Sequence, residues 1–536
     1  MKKEFNFQTL NMDAFLPPLV KDYLHHSEKL HPFFHYKPSP DSFKESMEWK
    51  GKFFRHRNLL AEQLKKQYQS VKSEKAFTLE QIENLKSENT FTVTTGHQLN
   101  IFTGPLYFIY KLVSVIKLSK MLKDKFDDCD FIPVYWMVTE DHDLAEINHF
   151  YFRGEKIEWN KHQPGPPCGR LSTDGLSEIA DTLLIKAEGN EKLKNLILLF
   201  KECYSTHKTL SSATREIAHR LLGSHGLIII DADDRELKSV LKPVMTDEVE
   251  NNSGFRLVNE TIASLEKNYK AQVHPREINF FYLGNEIRER MVKTDSGYST
   301  LQTGKHFSKK ELNAEIENHP EHFSPNVITR PLYQEMILPN IAYTGGPAEI
   351  SYWMEYKSFF EYHRQRMPVL LLRDSFLWID RHTSQLVEKT KLNVEDFLKD
   401  ENTVMNMLIA ASAGEESNLK TESHSLEKVY DLLLQKIASV DPSLSGSVMA
   451  EKQKALKGID HLKEKLLKAL KKKEEVNLNR IRKIQQIILP DGILQERREN
   501  MLFAAERFGE HYIDNLHEQA NPFHTGLKSF SEKANN

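Results

Sequence analysis

The 536-residue sequence sets 73 lysines and arginines against 76 aspartates and glutamates, a formal net charge of -3, so no global field draws it to nucleic acid or an acidic membrane surface. Cys129, Cys168 and Cys203 are too few and too scattered for a disulfide framework or a paired-cysteine zinc site, and no apolar run nears the ~20 residues of a membrane span. The expectation is a cytoplasmic protein without nucleic-acid or membrane partners, long enough for a large core and roughly three domains.

Up to about Thr90 the pattern is helical, with Phe43, Met47, Phe53, Phe54, Leu59, Leu60 and Leu64 at helical spacing between Ser42 and Gln69. The texture then changes. A β-rich run, Phe91 to Thr95, leads into Gly96-His97-Gln98, then an apolar helical stripe to Leu122, then a second apolar strand from Phe131 to Thr139. Strand, turn, helix and strand make a βαβ unit, and open α/β sheets bind ligands where such strands end. Thr103 as cap and Pro105 as first helical residue would start the helix near Gly104, aiming free N–H groups at an anion held by Gly96, His97 and Gln98. The second strand delivers Glu140-Asp141-His142-Asp143, four ionisable residues in a row.

From Asn148 to Ser224 the chain reads as an insertion: a hairpin turning at Arg153-Gly154-Glu155, then helices over Leu176–Lys186, Lys192–Tyr204 and Thr209–Leu222. Leu227 to Asp231 restores a buried parallel strand. A helix from about Glu236 to Leu265 and a strand from Ile278 to Leu283 follow, and the polar stretch Arg288 to Lys293, with Asp295-Ser296-Gly297, reads as a second insertion or lobe. Three short apolar runs then end in polar groups: Val327-Ile328-Thr329 before Arg330, Ile341-Ala342-Tyr343 before Gly345-Gly346, and Val369 to Leu372 before Arg373. Gly345-Gly346-Pro347 would allow close backbone approach to a ligand or to a helix N-terminus, with Glu349 in the first helical turn. Beyond Glu401 the pattern is helical, and Ala455, Ile459, Leu462, Leu466, Ala469 and Val476 form a coiled-coil seam. Its partner is the helix of Leu426, Val429, Leu433 and Ile437, or the same helix in a second subunit.

Thr95-Gly96-His97-Gln98, Gly104-Pro105-Leu106-Tyr107 with Tyr110-Lys111, and Trp136 through Asp143 together resemble the bacillithiol-synthesis enzymes called BshC, the cysteine-adding ligases. Further matching blocks are Ser324-Pro325-Asn326, Arg330 to Gln334, Gly345 to Trp353, Met367 to Ser375 and Leu489 to Arg497, in the family's order across nearly the whole chain. The Gly96-His97 turn is also similar to the phosphate-binding histidine turn of class I nucleotidyltransferases. No glycine-lysine-serine/threonine phosphate loop or Lys-Met-Ser-Lys-Ser loop accompanies it. The fold class expected is α/β: a Rossmann-like parallel-sheet core with inserted connective subdomains and a C-terminal α-helical coiled-coil hairpin. The expected divisions are an N-terminal helical segment at 1–90, core halves at 91–147 and 225–400 separated by an insertion at 148–224, and a smaller insertion near 284–323. Coiled-coil helices follow at 401–488, then a helix returning to the core at 489–536.

The resemblance implies an amide bond between cysteine and glucosaminyl malate. Because amide formation from a free carboxylate in water is unfavourable, ATP or another nucleotide with magnesium, or another energy source, is expected as activator, and the coiled-coil seam suggests a homodimer. His97 and Gln98, with the helix start at Gly104, would bind a phosphate or malate carboxylate; Asn100, Tyr107 and Lys111 would line the same pocket. His142, tuned by Asp141 and Asp143, would be general base, and Glu140 or Glu349 could hold the amine. Arg330 and Arg373 are candidate carboxylate clamps, with Gln334, Gly346 and Tyr352 beside them. Three other readings stand alongside: a metal on Asp141, His142, Asp143 and His149, an amino-acid-activating synthetase-like enzyme, and a non-catalytic scaffold.

Overall fold

The computed structural model describes residues 5–160, 166–284, 287–413, 419–473, 475–509 and 512–532. Five parallel strands organise the larger of two compact units, Asn11–Phe376 with Glu496–Lys528. In chain order they are β1 (Thr90–His97), β2 (Asp130–Met137), β3 (Ile228–Asp231), β4 (Asn340–Gly345) and β5 (Val369–Leu372), arranged β5-β4-β1-β2-β3. This is the doubly wound Rossmann order. The chain leaves β1 toward β2 on one side and returns from β3 to β4 on the other, so the strand order reverses between β1 and β4.

The local sequence explains these strands. Every residue of β1 is buried, as is every residue of β2 except Asp130, as sheets covered on both faces require. Pro133 is tolerated inside β2 because pairing with β3 begins only at Val134 opposite Ile228. Thr90 to His97 pair in register with Asp130 to Met137, and Met137 lies opposite Asp231, so the strand ends share one edge. Helix α1 (Tyr107–Lys125) packs on β1 and β2 and buries Lys111, Ser114 and Ser119 besides its apolar stripe. It is covered on nearly all sides because Met501–Phe508 and Tyr512–Gln519 return to this unit, where Lys117 Nζ donates to the His517 carbonyl at 3.1 Å.

Several elements differ from the sequence pattern. Val327-Ile328-Thr329 is no strand; it leads into helix α2 (Thr329–Ile337), because the Asn326 side chain accepts from the N–H groups of Ile328 and Thr329. The strand expected from Ile278 spans Phe280–Leu283 and lies in a five-stranded antiparallel lobe with Arg288–Thr294, Gly297–Thr300, His306–Phe307 and Phe323–Pro325. The helix expected from Glu236 to Leu265 is three, Arg235–Ser239, Lys242–Asn251 and Ser253–Leu265, with Asn252 left-handed at the second break.

The second unit, Met1–Leu10 with Leu377–Gln495 and Ser529–Asn536, is mainly helical. Phe5–Leu10, read from the sequence as part of a helical segment, is instead a strand in a three-stranded sheet with Leu527–Glu532 and Ser375–Ile379. Lys420–Ala438 and Ser445–Lys473 form an antiparallel hairpin around the turn at Pro442–Leu444, fastened by Lys452 Nζ and Asp431 Oδ1 at 2.7 Å. Its apolar seam is only partly covered: Leu426, Ile437, Ala455 and Ile459 are half-buried, whereas Val429, Leu433 and Leu462 are 51%, 42% and 58% exposed. No helix among the described residues is long and apolar enough to cross a membrane.

Candidate active site

A cleft of about 1130 Å³ lies over the carboxyl ends of the strands and is walled on its other side by the antiparallel lobe. At its floor His97 ends β1, stacked on Tyr107 (centroids 5.2 Å apart) and edge-on to Phe108. Its Nδ1 lies 2.9 Å from the Gln98 carbonyl. A carbonyl only accepts, so Nδ1 carries the proton and Nε2 offers a lone pair, buried and without a protein donor among the described residues. Burial, then the charge of Lys111, push the imidazole down to about 3, so it is neutral at pH 7.

The anion site expected at the start of α1 does not form. Phe102, Thr103 and Gly104 all have positive φ, so the turn is tight and the helix begins at Tyr107 rather than at Pro105. Asn500 Nδ2 donates to the Phe102 and Gly104 carbonyls, and the Leu106 N–H goes to the Glu499 carbonyl at 2.7 Å. Gly104 and Asn100 lie outside the cleft lining; Asn100 packs where a Cβ on Gly104 would sit and donates to the Glu146 carbonyl. Tyr107 and Lys111, one helical turn further, do line it.

At the β1–β4 crossing Lys111 Nζ meets Glu349 at 2.5 Å and donates to the Gly96 carbonyl at 2.8 Å. Glu349 begins helix α3 (Pro347–Trp353), where it also accepts from Tyr343 Oη at 2.5 Å and the Gly346 N–H at 2.8 Å. Burial alone would raise its carboxyl; Lys111, Tyr343 and the Gly346 N–H hold it below the usual range. It is therefore engaged before any substrate arrives and is a poor holder for an incoming amine. The glycines make room for this network rather than for ligand backbone, since a Cβ on Gly345 would lie 3.0 Å from both Glu349 and Tyr343, and one on Gly96 3.1 Å from Tyr343 Oη. Arg330, in the first turn of α2, is oriented by Gln334 Oε1 (3.2 Å) and Tyr352 Oη (3.4 Å), and has no carboxylate partner among the described residues. Burial opposes its charge, but Tyr352, Tyr343 and Glu349 keep it firmly protonated. Gln334 stands behind Arg330, outside the lining.

The tetrad after β2 divides its labour. Glu140 is buried against Lys238 Nζ at 2.7 Å, and burial outweighs that partner to push its carboxyl up to about 7. Asp141 also feels burial, but the His142 backbone N–H at 2.8 Å, the Gln98 amide and the charge of Arg288 hold it well below the carboxylate range. Gln98 Nε2 donates to Asp141 Oδ2 at 2.7 Å. Arg288 NH1 lies 2.9 Å from His142 Nδ1, and an arginine can only donate. His142 therefore holds its proton on Nε2 and has no free lone pair, which removes it as the general base; Asp143 is exposed beside it. Nor do Asp141, His142, Asp143 and His149 converge as a metal set: His149 Nδ1 turns to Asn148 Oδ1 at 3.2 Å. Cys168, whose N–H bonds the Asp141 carbonyl, has its thiol pushed up to about 12 by burial and the neighbouring carboxylates, so it is no nucleophile.

Arg373 lines the cleft but is not a free clamp. Its guanidinium grips Glu496 at 3.0 and 2.5 Å, with both side chains buried. The sequence did not single out Arg288, held by Ser324 Oγ at 3.1 Å over the Phe281 ring, nor Lys238. It also passed over Arg276, Arg290 and Arg497, exposed cleft residues without an ion pair among the described residues. The one visible sign was the alternating basic strand from Arg288 to Lys293.

Residues 5–374 match the family model described as Bacillithiol biosynthesis BshC, N-terminal Rossmann-like domain, and residues 376–530 match that of the BshC C-terminal coiled-coil domain. A Flavobacterium johnsoniae protein named "Putative cysteine ligase BshC" is 40% identical over 503 residues, covering 94% of this chain and 93% of its own. Proteins of the same name from Christiangramia forsetii and Anoxybacillus flavithermus are 38% and 28% identical over 520 and 529 residues, covering 96% and 93% of this chain and 96% and 95% of theirs.

Proposed function

This chain belongs to the BshC family of bacillithiol biosynthesis, and we propose that its cleft joins the carboxyl of cysteine to the amine of glucosaminyl malate. The observation that carries this reading is Arg330: a half-buried guanidinium without a carboxylate partner among the described residues, lining the same cleft as a neutral His97, at the sheet's switch point. A guanidinium in that state fits a substrate carboxylate bidentately, and the malate group carries two. His97 Nε2 accepts from a substrate hydroxyl or ammonium.

The incoming amine is an ammonium at neutral pH and must lose a proton before it attacks. Glu140, held near pH 7 and lining the cleft, is the base we assign, and the anionic Asp141 holds the ammonium nearby. Arg288 and the Nε2–H of His142 act as donors. Amide formation from a free carboxylate in water is unfavourable. A nucleotide with magnesium would supply the activation of the cysteine carboxyl, and the unpaired guanidiniums of Arg276, Arg290 and Arg497 fit such a polyanion. The three free cysteines and a thiol product suit a reducing cytoplasm.

Purified protein with cysteine and glucosaminyl malate, with and without ATP and magnesium, is expected to yield the amide by mass spectrometry only when the nucleotide is present. Arg330→Ala should raise the KM for glucosaminyl malate about 10- to 100-fold, as for loss of a charged hydrogen bond. Product at an unchanged rate from that variant would sink the assignment. The half-exposed hairpin seam further supports a homodimer, and replacing Val429, Leu433 and Leu462 with Glu should halve the mass measured by light scattering.

A further inference from the structure

Outside the cleft, one cluster has the composition of a transition-metal site. Helix Lys309–Asn318 ends in His319, which opens the single 3-10 turn Pro320–His322. Residues three apart eclipse in such a turn, and the His319 and His322 rings stack with centroids 4.9 Å apart at 15°. Ligand atoms of His319, Glu321 and His322 all lie within 4.8 Å of one another, so modest side-chain rotations bring them to the ~2 Å bonds of one ion.

Two features point to a ligand here. His322 Nδ1 lies 2.8 Å from Glu315 Oε1; the carboxylate accepts, so Nδ1 carries a proton and Nε2 is the nitrogen left to face a ligand. A carboxylate behind an imidazole is the arrangement that orients histidine ligands at metal sites. Glu321 uses Oε1 on Arg235 at 3.1 Å, while its Oε2 is buried with no hydrogen-bond partner among the described residues.

We propose that His319, Glu321 and His322 bind one divalent transition-metal ion, Zn2+ above all, with Glu315 orienting His322. Two imidazoles and a carboxylate suit zinc and its borderline neighbours, whereas Mg2+ and Ca2+ seek all-oxygen sets. Arg235 and Lys305, the latter 3.8 Å from Glu315, offset the two carboxylates, so the imidazoles carry the affinity. The turn feeds strand Phe323–Pro325, whose Ser324 holds Arg288 in the cleft wall, so a bound ion stiffens that support.

The test is titration of the metal-stripped full chain with Zn2+ alone against a chromophoric chelator. One equivalent should bind. His319→Ala and His322→Ala should each weaken it at least tenfold, and Glu315→Gln about 10- to 100-fold although Glu315 does not touch the ion. Cys129→Ala should change nothing. Melting curves without metal establish that each variant is folded, and should His322→Ala fail that check, the exposed His319→Ala decides alone. Visible absorption of the Co2+-loaded chain should likewise disappear in His319→Ala. No stoichiometric binding, or binding indifferent to both histidine variants, overturns the proposal.

Discussion

On the sheet side of the cleft the buried Lys111 is paired at 2.5 Å with Glu349, itself only 18% exposed, whereas on the lobe side Arg276 and Arg290 are exposed and without an ion pair among the described residues. The difference lies in what each wall can do before substrate arrives. Buried charges must be matched during folding, because desolvation of an unpaired ion costs several kcal/mol, so the sheet wall is preorganised and fixed. Exposed guanidiniums cost little to leave unpaired. They act at a distance, and salt screens them.

The largest effect is expected when the sheet wall loses one partner. Lys111→Met leaves the largely covered Glu349 anionic with only Tyr343 and the Gly346 N–H, and should destabilise the fold by about 3 kcal/mol in chemical denaturation. Adding Glu349→Gln should restore part of that loss, because the stranded charge disappears. A double variant as unstable as Lys111→Met alone would mean that the pair's electrostatics are not what fixes this wall.

Glu140 bears on chemistry instead of stability. Its carboxyl is pushed up to about 7 by burial, so below that pH it is protonated and cannot take the proton of the attacking ammonium. Rate should therefore rise with pH through about 7 and level off above it. Glu140→Gln should lower kcat about 10²- to 10⁴-fold and abolish that limb. A limb that survives the substitution assigns the base elsewhere.

How much of this was legible follows the range of the deciding contact. The strand ends near His97, Met137 and Gly345 could be read because period and turn chemistry are local, as could the apolar runs that became β4 and β5. Val327-Ile328-Thr329 looked like another such run, and only the cap made by Asn326 turned it into a helix start. Charge pairing was illegible. Arg373 looked free, yet Glu496 lies 123 residues away in sequence, and Arg288 reaches His142 across 146. The anion site expected at Gly104 failed for the same reason, since Asn500 covers that turn from nearly 400 residues on. Sequence period places groups at an edge; long-range packing decides which of them remain available.

The smallest expected effect belongs to the lobe wall. Arg276→Gln with Arg290→Gln removes two charges that contact no carboxylate among the described residues, so the melting temperature should hold and kcat should change little. KM for the anionic substrates should rise a few-fold at low ionic strength, and that difference should fade toward ~1 M salt, where the Debye length is only ~3 Å. Lys111→Met, by contrast, should remain destabilised at both ionic strengths, because its unpaired carboxylate is shielded from mobile ions. If the rim variants lose activity equally at all salt concentrations, Arg276 and Arg290 touch the bound substrate directly, and both walls of the cleft are binding surfaces of the same kind.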